Sequence, residues 1–211
     1  RTALEAWHAG IPRRIGYSGN WRSPLLTHAI APRPEAIPMQ KRMPIDIEYR
    51  LINHLKPQTF PESAHHIHQY LHLAQHLGAS SKPLAPQLER SENAPVFSPT
   101  EKPRPYIGLI AGAEYGPAKR WPTEHFIETA SQLIEQRQAH VLLLGGSGDQ
   151  DTAAEIAAAL PADHHTNLTG QTTLPELVST LAACDAVLTN DTGPMHVAAA
   201  TGTPVVVPFG S

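Results

Sequence analysis

Residues 106–211 repeat one pattern: a short apolar run, a glycine-rich or polar loop, then an amphipathic stretch that opens with helix-start chemistry. Strands joined by crossovers this short pair in parallel, and a parallel sheet must be covered on both faces. The predicted strands are Tyr106–Ala111, Val141–Leu144, Ala186–Thr189 and Pro204–Pro208, with a short edge strand at Thr166–Leu168. The first predicted helix, Thr123–Gln136, carries Phe126, Ile127, Ala130, Leu133 and Ile134 at i, i+3, i+4 spacing. Others cover Asp151–Leu160 and Pro194–Ala200, and Thr173-Leu174-Pro175-Glu176 has the form of a capping box opening a helix to Ala183. The expected fold is therefore α/β, a Rossmann-like doubly wound parallel sheet with ligands at the carboxyl ends of its strands.

The first half has another character, holding 14 of the 21 prolines in residues 1–105. Arg1–Ala9, Ile45–Leu55 and Ala64–Leu77 read as helices, the last stopped by Gly78, and Arg14–Tyr17 as a strand. Ala31–Pro44 and Ser80–Pro105 read as proline-rich loops or an interdomain connection. The expected division is residues 1–103, the later part of a first domain plus the connection, and 104–211, the Rossmann-like domain. The start at Arg1 without Met and the stop after Val205–Ser211 read as truncation at both ends, with no signal-peptide pattern. No apolar run reaches the ~18 residues of a membrane span. The single cysteine, Cys184, excludes a disulfide framework or a Cys-based zinc site and suits a reducing compartment. Residues 1–105 carry 13 Lys/Arg against 8 Asp/Glu, and residues 106–211 carry 3 against 11. A basic first half could meet an anionic partner, or the asymmetry could be ordinary surface variation.

Two loops at strand ends carry the most chemistry. Gly112-Ala113-Glu114-Tyr115-Gly116-Pro117-Ala118-Lys119-Arg120-Trp121-Pro122 follows a strand and sets two adjacent cations ahead of a helix, which suits a phosphate. Asn190-Asp191-Thr192-Gly193-Pro194-Met195-His196 spans another strand-to-helix junction, where the N–H groups of Thr192 and Gly193 would face an anion with His196 in the first turn. The purely structural alternative makes Asp191 or Thr192 a helix cap and Gly193-Pro194 a tight turn. The loop Gly145-Gly146-Ser147-Gly148-Asp149 lacks the third glycine of a dinucleotide fingerprint, but could admit a nucleotide with Asp149 accepting from ribose. His68, His72 and His76 fall on one helix face; with no carboxylate or cysteine beside them, a solvated face is expected rather than a metal site.

Together the Gly112–Pro122 segment, Gly145-Gly146, Asn167-Leu168-Thr169-Gly170-Gln171-Thr172 and Asn190-Asp191-Thr192-Gly193-Pro194-Met195-His196-Val197-Ala198-Ala199-Ala200 resemble the ADP-heptose:lipopolysaccharide heptosyltransferases of glycosyltransferase family nine, the heptosyltransferase II branch above all. The resemblance covers residues 104–211 closely. Gly10-Ile11-Pro12-Arg13-Arg14-Ile15-Gly16-Tyr17 and the helix ending at Gly78 look like the end of that family's first domain, and residues 31–60 do not match it well.

The resemblance implies a GT-B architecture and inverting transfer of L-glycero-D-manno-heptose from ADP-heptose to the lipopolysaccharide inner core. It implies that Lys119 neutralises the leaving diphosphate, and that Asp191, Thr192, Gly193 and His196 line the diphosphate and heptose. Asp191 is set with Lys119 as a catalytic residue, Ala113 and Glu114 as donor contacts, Thr172 beside the adenine, and Asp149, or Gln150, at the ribose. No metal and no cofactor are expected, and no nucleic-acid partner. The expected location is cytoplasmic, with peripheral contact at the inner face of the inner membrane. The family's presumed base, an Asp in the loop after the first strand, is missing, so the 211-residue piece is expected to bind ADP or ADP-heptose weakly without turnover, its basic half, including Arg13 and Arg14, fitting a phosphorylated acceptor. The alternatives are a non-catalytic nucleotide-binding module or another GT-B enzyme using a UDP-sugar.

Overall fold

A computed structural model describes residues 2–37, 43–56, 59–89, 97, 105–113 and 119–209, the side chains of Pro44 and Ile47 apart. The chain divides into two compact units, Arg1–Leu84 and Ala85–Ser211. The expected boundary at 103/104 lies outside the described residues. Leu88 N donates to Ala200 O at 2.8 Å, so part of the expected connection already pairs with the second unit.

In the first unit, helix α1 (Thr2–His8) precedes strand β1 (Ile15–Tyr17), which pairs in parallel with β2 (His28–Ile30) in the register Ile15↔His28 to Tyr17↔Ile30. Helices α2 (Pro44–Ile52) and α3 (Ile67–Gln75) follow. The sequence predicts the start of α3 at Ala64; instead a short 3-10 turn covers Glu62–Ala64, and His65, at ψ 137°, leaves helical geometry before α3 begins. Tyr17 ties α3 to β1, donating from Oη to Gln69 O at 2.7 Å while its ring stacks on His72.

The second unit contains strands β3 (Tyr106–Ile110), β4 (His140–Leu143), β5 (His165–Asn167), β6 (Ala186–Thr189) and β7 (Val205–Val206), in one all-parallel sheet of order β5-β4-β3-β6-β7. Helices α4 (Thr123–Arg137), α5 (Gln150–Ala159), α6 (Leu174–Ala182) and α7 (Gly193–Ala200) connect them. This is the doubly wound sheet that the βα pattern predicts.

Side-chain alternation along the strands builds a core on each face. Leu109, Val141, Leu143 and Leu188 point to one face, where Phe126, Ala130 and Ile134 of α4 and Ala153 and Ile156 of α5 cover them. Ile110, Leu142, Leu144 and Val187 point to the other, against Leu181 of α6 and Ala198 of α7. Mid-strand Gly108 answers to that second layer, since a Cβ there would lie 3.2 Å from Cys184 Sγ and from Val187 Cγ2. Helix α6 opens on the expected Thr173/Glu176 pair: the Glu176 carboxylate accepts from Thr173 N at 2.6 Å and from the Thr173 hydroxyl at 2.7 Å. Those bonds hold the Glu176 carboxyl below its ordinary range.

Candidate functional site

The chain runs outward from β3 through β4 to β5, then returns to the other side of β3 to add β6 and β7. A sheet wound this way opens a crevice where the direction reverses, outside the carboxyl ends of β3 and β6. The two loops singled out from the sequence leave the sheet there, one from Ala111 after β3 and one from Asn190 after β6.

They meet through Asn190, which is fully buried at the end of β6. Its Nδ2 donates to Ala111 O at 2.7 Å, and its Oδ1 accepts from Trp121 N at 3.0 Å. The next residue, Asp191, receives Lys119 Nζ on Oδ2 at 2.6 Å, with both side chains partly open to solvent. Arg120, exposed overall, folds its guanidinium back onto the loop's own backbone, donating to Ala113 O at 3.1 and 2.9 Å. The two adjacent cations therefore divide their work: Arg120 fixes backbone, while Lys119 presents charge in the crevice. Trp121 packs edge-on against buried Phe126 of α4, which seats the end of the loop on the core.

Across the crevice α7 begins. Thr192 occupies the N-cap position in extended geometry without a side-chain capping bond, and Asp191 is engaged by Lys119. Thr192 is therefore the helix cap by position, as the structural alternative has it, but its hydroxyl makes no capping bond and Asp191 is turned to Lys119 instead. Among the described residues, the amides of Thr192 and Gly193 have no hydrogen-bond partner, while Met195 N donates to Thr192 O at 3.2 Å. Gly193 and His196 are exposed at this helix start. Two free amides, a helix N-terminus and a lysine ammonium converge here, and that set can hold an anion.

The loop after β4 lies alongside. Asp149 turns its carboxylate back, accepting from Gly146 N at 2.9 Å, and packs on the backbone of Gly112: a Cβ there would lie 2.2 Å from Oδ1. An acidic residue after the strand neighbouring the central one is where dinucleotide-binding sheets engage ribose. Beyond it, Gly170 N donates to Gly145 O at 3.0 Å, joining the β5 loop to the β4 loop with Gly170 at φ +73°. Thr172 is half-buried on that loop, and Gln150 opens α5 beside it. Ala113 is buried, with its carbonyl taken by Arg120. Glu114 lies outside the described residues.

In the first unit, Arg14 is committed to backbone, donating from Nε to Leu25 O at 2.7 Å and from Nη1 to Ile11 O, whereas Arg13 is exposed. His72 Nδ1 lies 2.9 Å from Tyr17 Oη, and His76 Nδ1 lies 2.8 Å from His72 O. Among the described residues, no cluster of three or more metal-binding side chains occurs.

Comparison with known proteins bears on what this crevice holds. The family model described as glycosyltransferase family 9 (heptosyltransferase) matches residues 12–211. Lipopolysaccharide heptosyltransferase 2 of Escherichia coli K12 is 36% identical over 217 aligned residues, covering 100% of this chain and 57% of the relative. Lipooligosaccharide heptosyltransferase 2 of Haemophilus influenzae is 46% identical over 110 residues, covering 51% of this chain and 32% of the relative. The solved structure of E. coli ADP-heptose lps heptosyltransferase II superimposes with a TM-score of 0.68 at 34% identity, over 99% of this chain and 59% of that one. The chain thus spans less than two thirds of these relatives' length.

Proposed function

The chain belongs to glycosyltransferase family 9 (heptosyltransferase), and from that premise we propose that its second unit is the ADP-heptose site of a lipopolysaccharide inner-core heptosyltransferase of the heptosyltransferase II kind. The whole protein moves L-glycero-D-manno-heptose from ADP-heptose to the inner core, with inversion at the anomeric carbon. One observation carries this reading: Lys119 and Asp191, from loops on adjacent strands, stand 2.6 Å apart in the crevice beside the amides of Thr192 and Gly193, which have no partner among the described residues.

The donor's diphosphate replaces the Asp191 carboxylate as the partner of Lys119 and takes the two amides as donors. Breaking the bond from the anomeric carbon to phosphate oxygen leaves negative charge on the departing ADP. Groups fixed in place before the reaction stabilise that charge more than the ground state, and this difference lowers the barrier. Asp191, once released by Lys119, is free to accept from a heptose hydroxyl, with His196 at the same end. The adenosine lies over the β4 and β5 loops, with Asp149 or Gln150 at the ribose and Thr172 beside the adenine. Lys119 and the helix start supply the positive potential at the diphosphate, so no metal ion is assigned to the step. The acceptor is lipid-borne, which sets the reaction at the cytoplasmic face of the inner membrane.

Calorimetry with ADP-heptose, ADP and UDP tests the reading. It requires ADP-heptose and ADP to bind and UDP to bind at least ~10-fold more weakly, a difference of about 1.4 kcal/mol. Equal affinity for ADP and UDP would remove the adenosine assignment.

A further inference from the structure

The Asn190 side chain holds both ends of the loop that carries Lys119. Nδ2 donates to Ala111 O, where the loop leaves β3, and Oδ1 accepts from Trp121 N, two residues beyond Lys119. Only one orientation of the amide satisfies both partners, because a carbonyl must be met by N–H and an amide N–H by oxygen. The side chain is fully buried, so water cannot take over either bond. Asn190 also precedes Asp191, which fixes the Lys119 ammonium from the opposite loop.

We infer that Asn190 is the positioning residue of the diphosphate site: its amide clasps the 111–121 loop and so sets Lys119 against the phosphate. The inference rests on the donor-site reading above and adds to it the group that fixes the geometry of Lys119. Asn190 touches no ligand; it acts through the backbone at Ala111 and Trp121. Its chemistry is specific, since the position needs a donor and an acceptor in one short planar group. Leucine of similar size offers neither. Aspartate offers two acceptors when ionised, one facing Ala111 O, but a donor and an acceptor when protonated.

The experiment uses the full chain and two probes: ADP, which carries the diphosphate, and adenosine, which does not. Asn190→Leu is expected to weaken ADP ~10-fold and leave adenosine within ~2-fold. Lys119→Ala added to that variant should cost less than ~2-fold more, because the lysine is already misplaced. Should Asn190→Leu fail to fold, Asn190→Asp keeps the question open to measurement. Its ADP affinity, taken relative to wild type at each pH, is expected to recover as pH falls from ~8 to ~5.5, when the buried carboxyl regains its proton and its donor. Equal loss of ADP and adenosine, full additivity with Lys119→Ala, or a flat pH ratio overturns the assignment. If wild type binds adenosine but Lys119→Ala leaves ADP binding unchanged, the donor-site reading fails instead, whatever Asn190 does.

Discussion

Replacing Lys119 with alanine separates binding from folding. In the free protein Lys119 pairs with Asp191 at 2.6 Å, with side-chain exposures of 45% and 32%. Exposed pairs of this kind contribute about 0–1 kcal/mol, so the melting temperature should fall by a few degrees at most. Binding is another matter, because the ammonium is the only lysine after residue 102 and faces a ligand carrying more negative charge than Asp191. A charge-assisted hydrogen bond to phosphate contributes about 1.5–3 kcal/mol, which is ~10- to 150-fold in Kd. Titrating ADP into wild type and Lys119→Ala by calorimetry, with thermal melts of both, reads the two quantities apart. Asp191→Asn completes the argument: it removes the charged partner of Lys119, so ADP affinity should hold or rise, whereas the sugar of ADP-heptose meets a neutral amide oxygen in place of a carboxylate and should bind more weakly. An ADP affinity unchanged in Lys119→Ala, or a large drop in melting temperature with proportional loss of binding, refutes the reasoning.

Gly112→Ala places a Cβ 2.2 Å from Asp149 Oδ1, and the short side chain must swing away; adenosine affinity should then fall ~3- to 10-fold if that carboxylate meets ribose, measured by the same titration. Cys184 is 7% exposed and its thiol is pushed up to about 12, first by burial and then by neighbouring Asp185; a thiol reagent at pH ~8 should react only as fast as the unit unfolds. The sign of the pH effect follows: the neutral thiol is favoured in the fold, so its stabilisation is intact below the unfolded thiol's pKa and is lost as pH rises from about 9 to about 12, to be followed by urea melts across alkaline pH. Phe126→Ala removes a fully buried ring from the layer between α4 and the sheet and should cost about 3–5 kcal/mol in denaturant unfolding.

The sheet was legible because its central strands are buried on both faces and so carry near-continuous apolar runs, as in Tyr106–Ile110 and Val141–Leu143. Turn chemistry marked the helix starts, and Thr173 with Glu176 formed the pair their spacing implies, though with the threonine hydroxyl donating to the carboxylate. Strand β2 escaped notice because three residues, His-Ala-Ile, are too few to show a period. Residues 85–89, within the proline-rich Ser80–Pro105 stretch, gave no sign of their partner, since a single backbone bond from Leu88 to Ala200 has no side-chain signature. At the site, the residues themselves singled out Lys119 with its neighbour, Thr192 and Gly193, and the family resemblance added Asp191, which the structure sets 2.6 Å from Lys119 and next to the α7 start. Sequence spacing did not separate Arg120, spent on Ala113 O, from Lys119. Nor did it single out Asn190, whose residue type at a strand end reads as a turn former until the fold buries it between two backbone partners. The one available signal was its place directly after the apolar run Ala186–Thr189, where a polar residue that stays inside must be bonded on every side.

Amide chemical shifts of the 15N-labelled chain titrated with ADP address the central proposition, that the β3 and β6 loops grip one diphosphate between them. The account predicts the largest shifts at Thr192 and Gly193 and at residues 119–121, with smaller ones at 145–150 and 169–172, all sharing one dissociation constant. Shifts confined to the first unit, or movement of the β4 and β5 loops while Thr192, Gly193 and Lys119 stay in place, would contradict it.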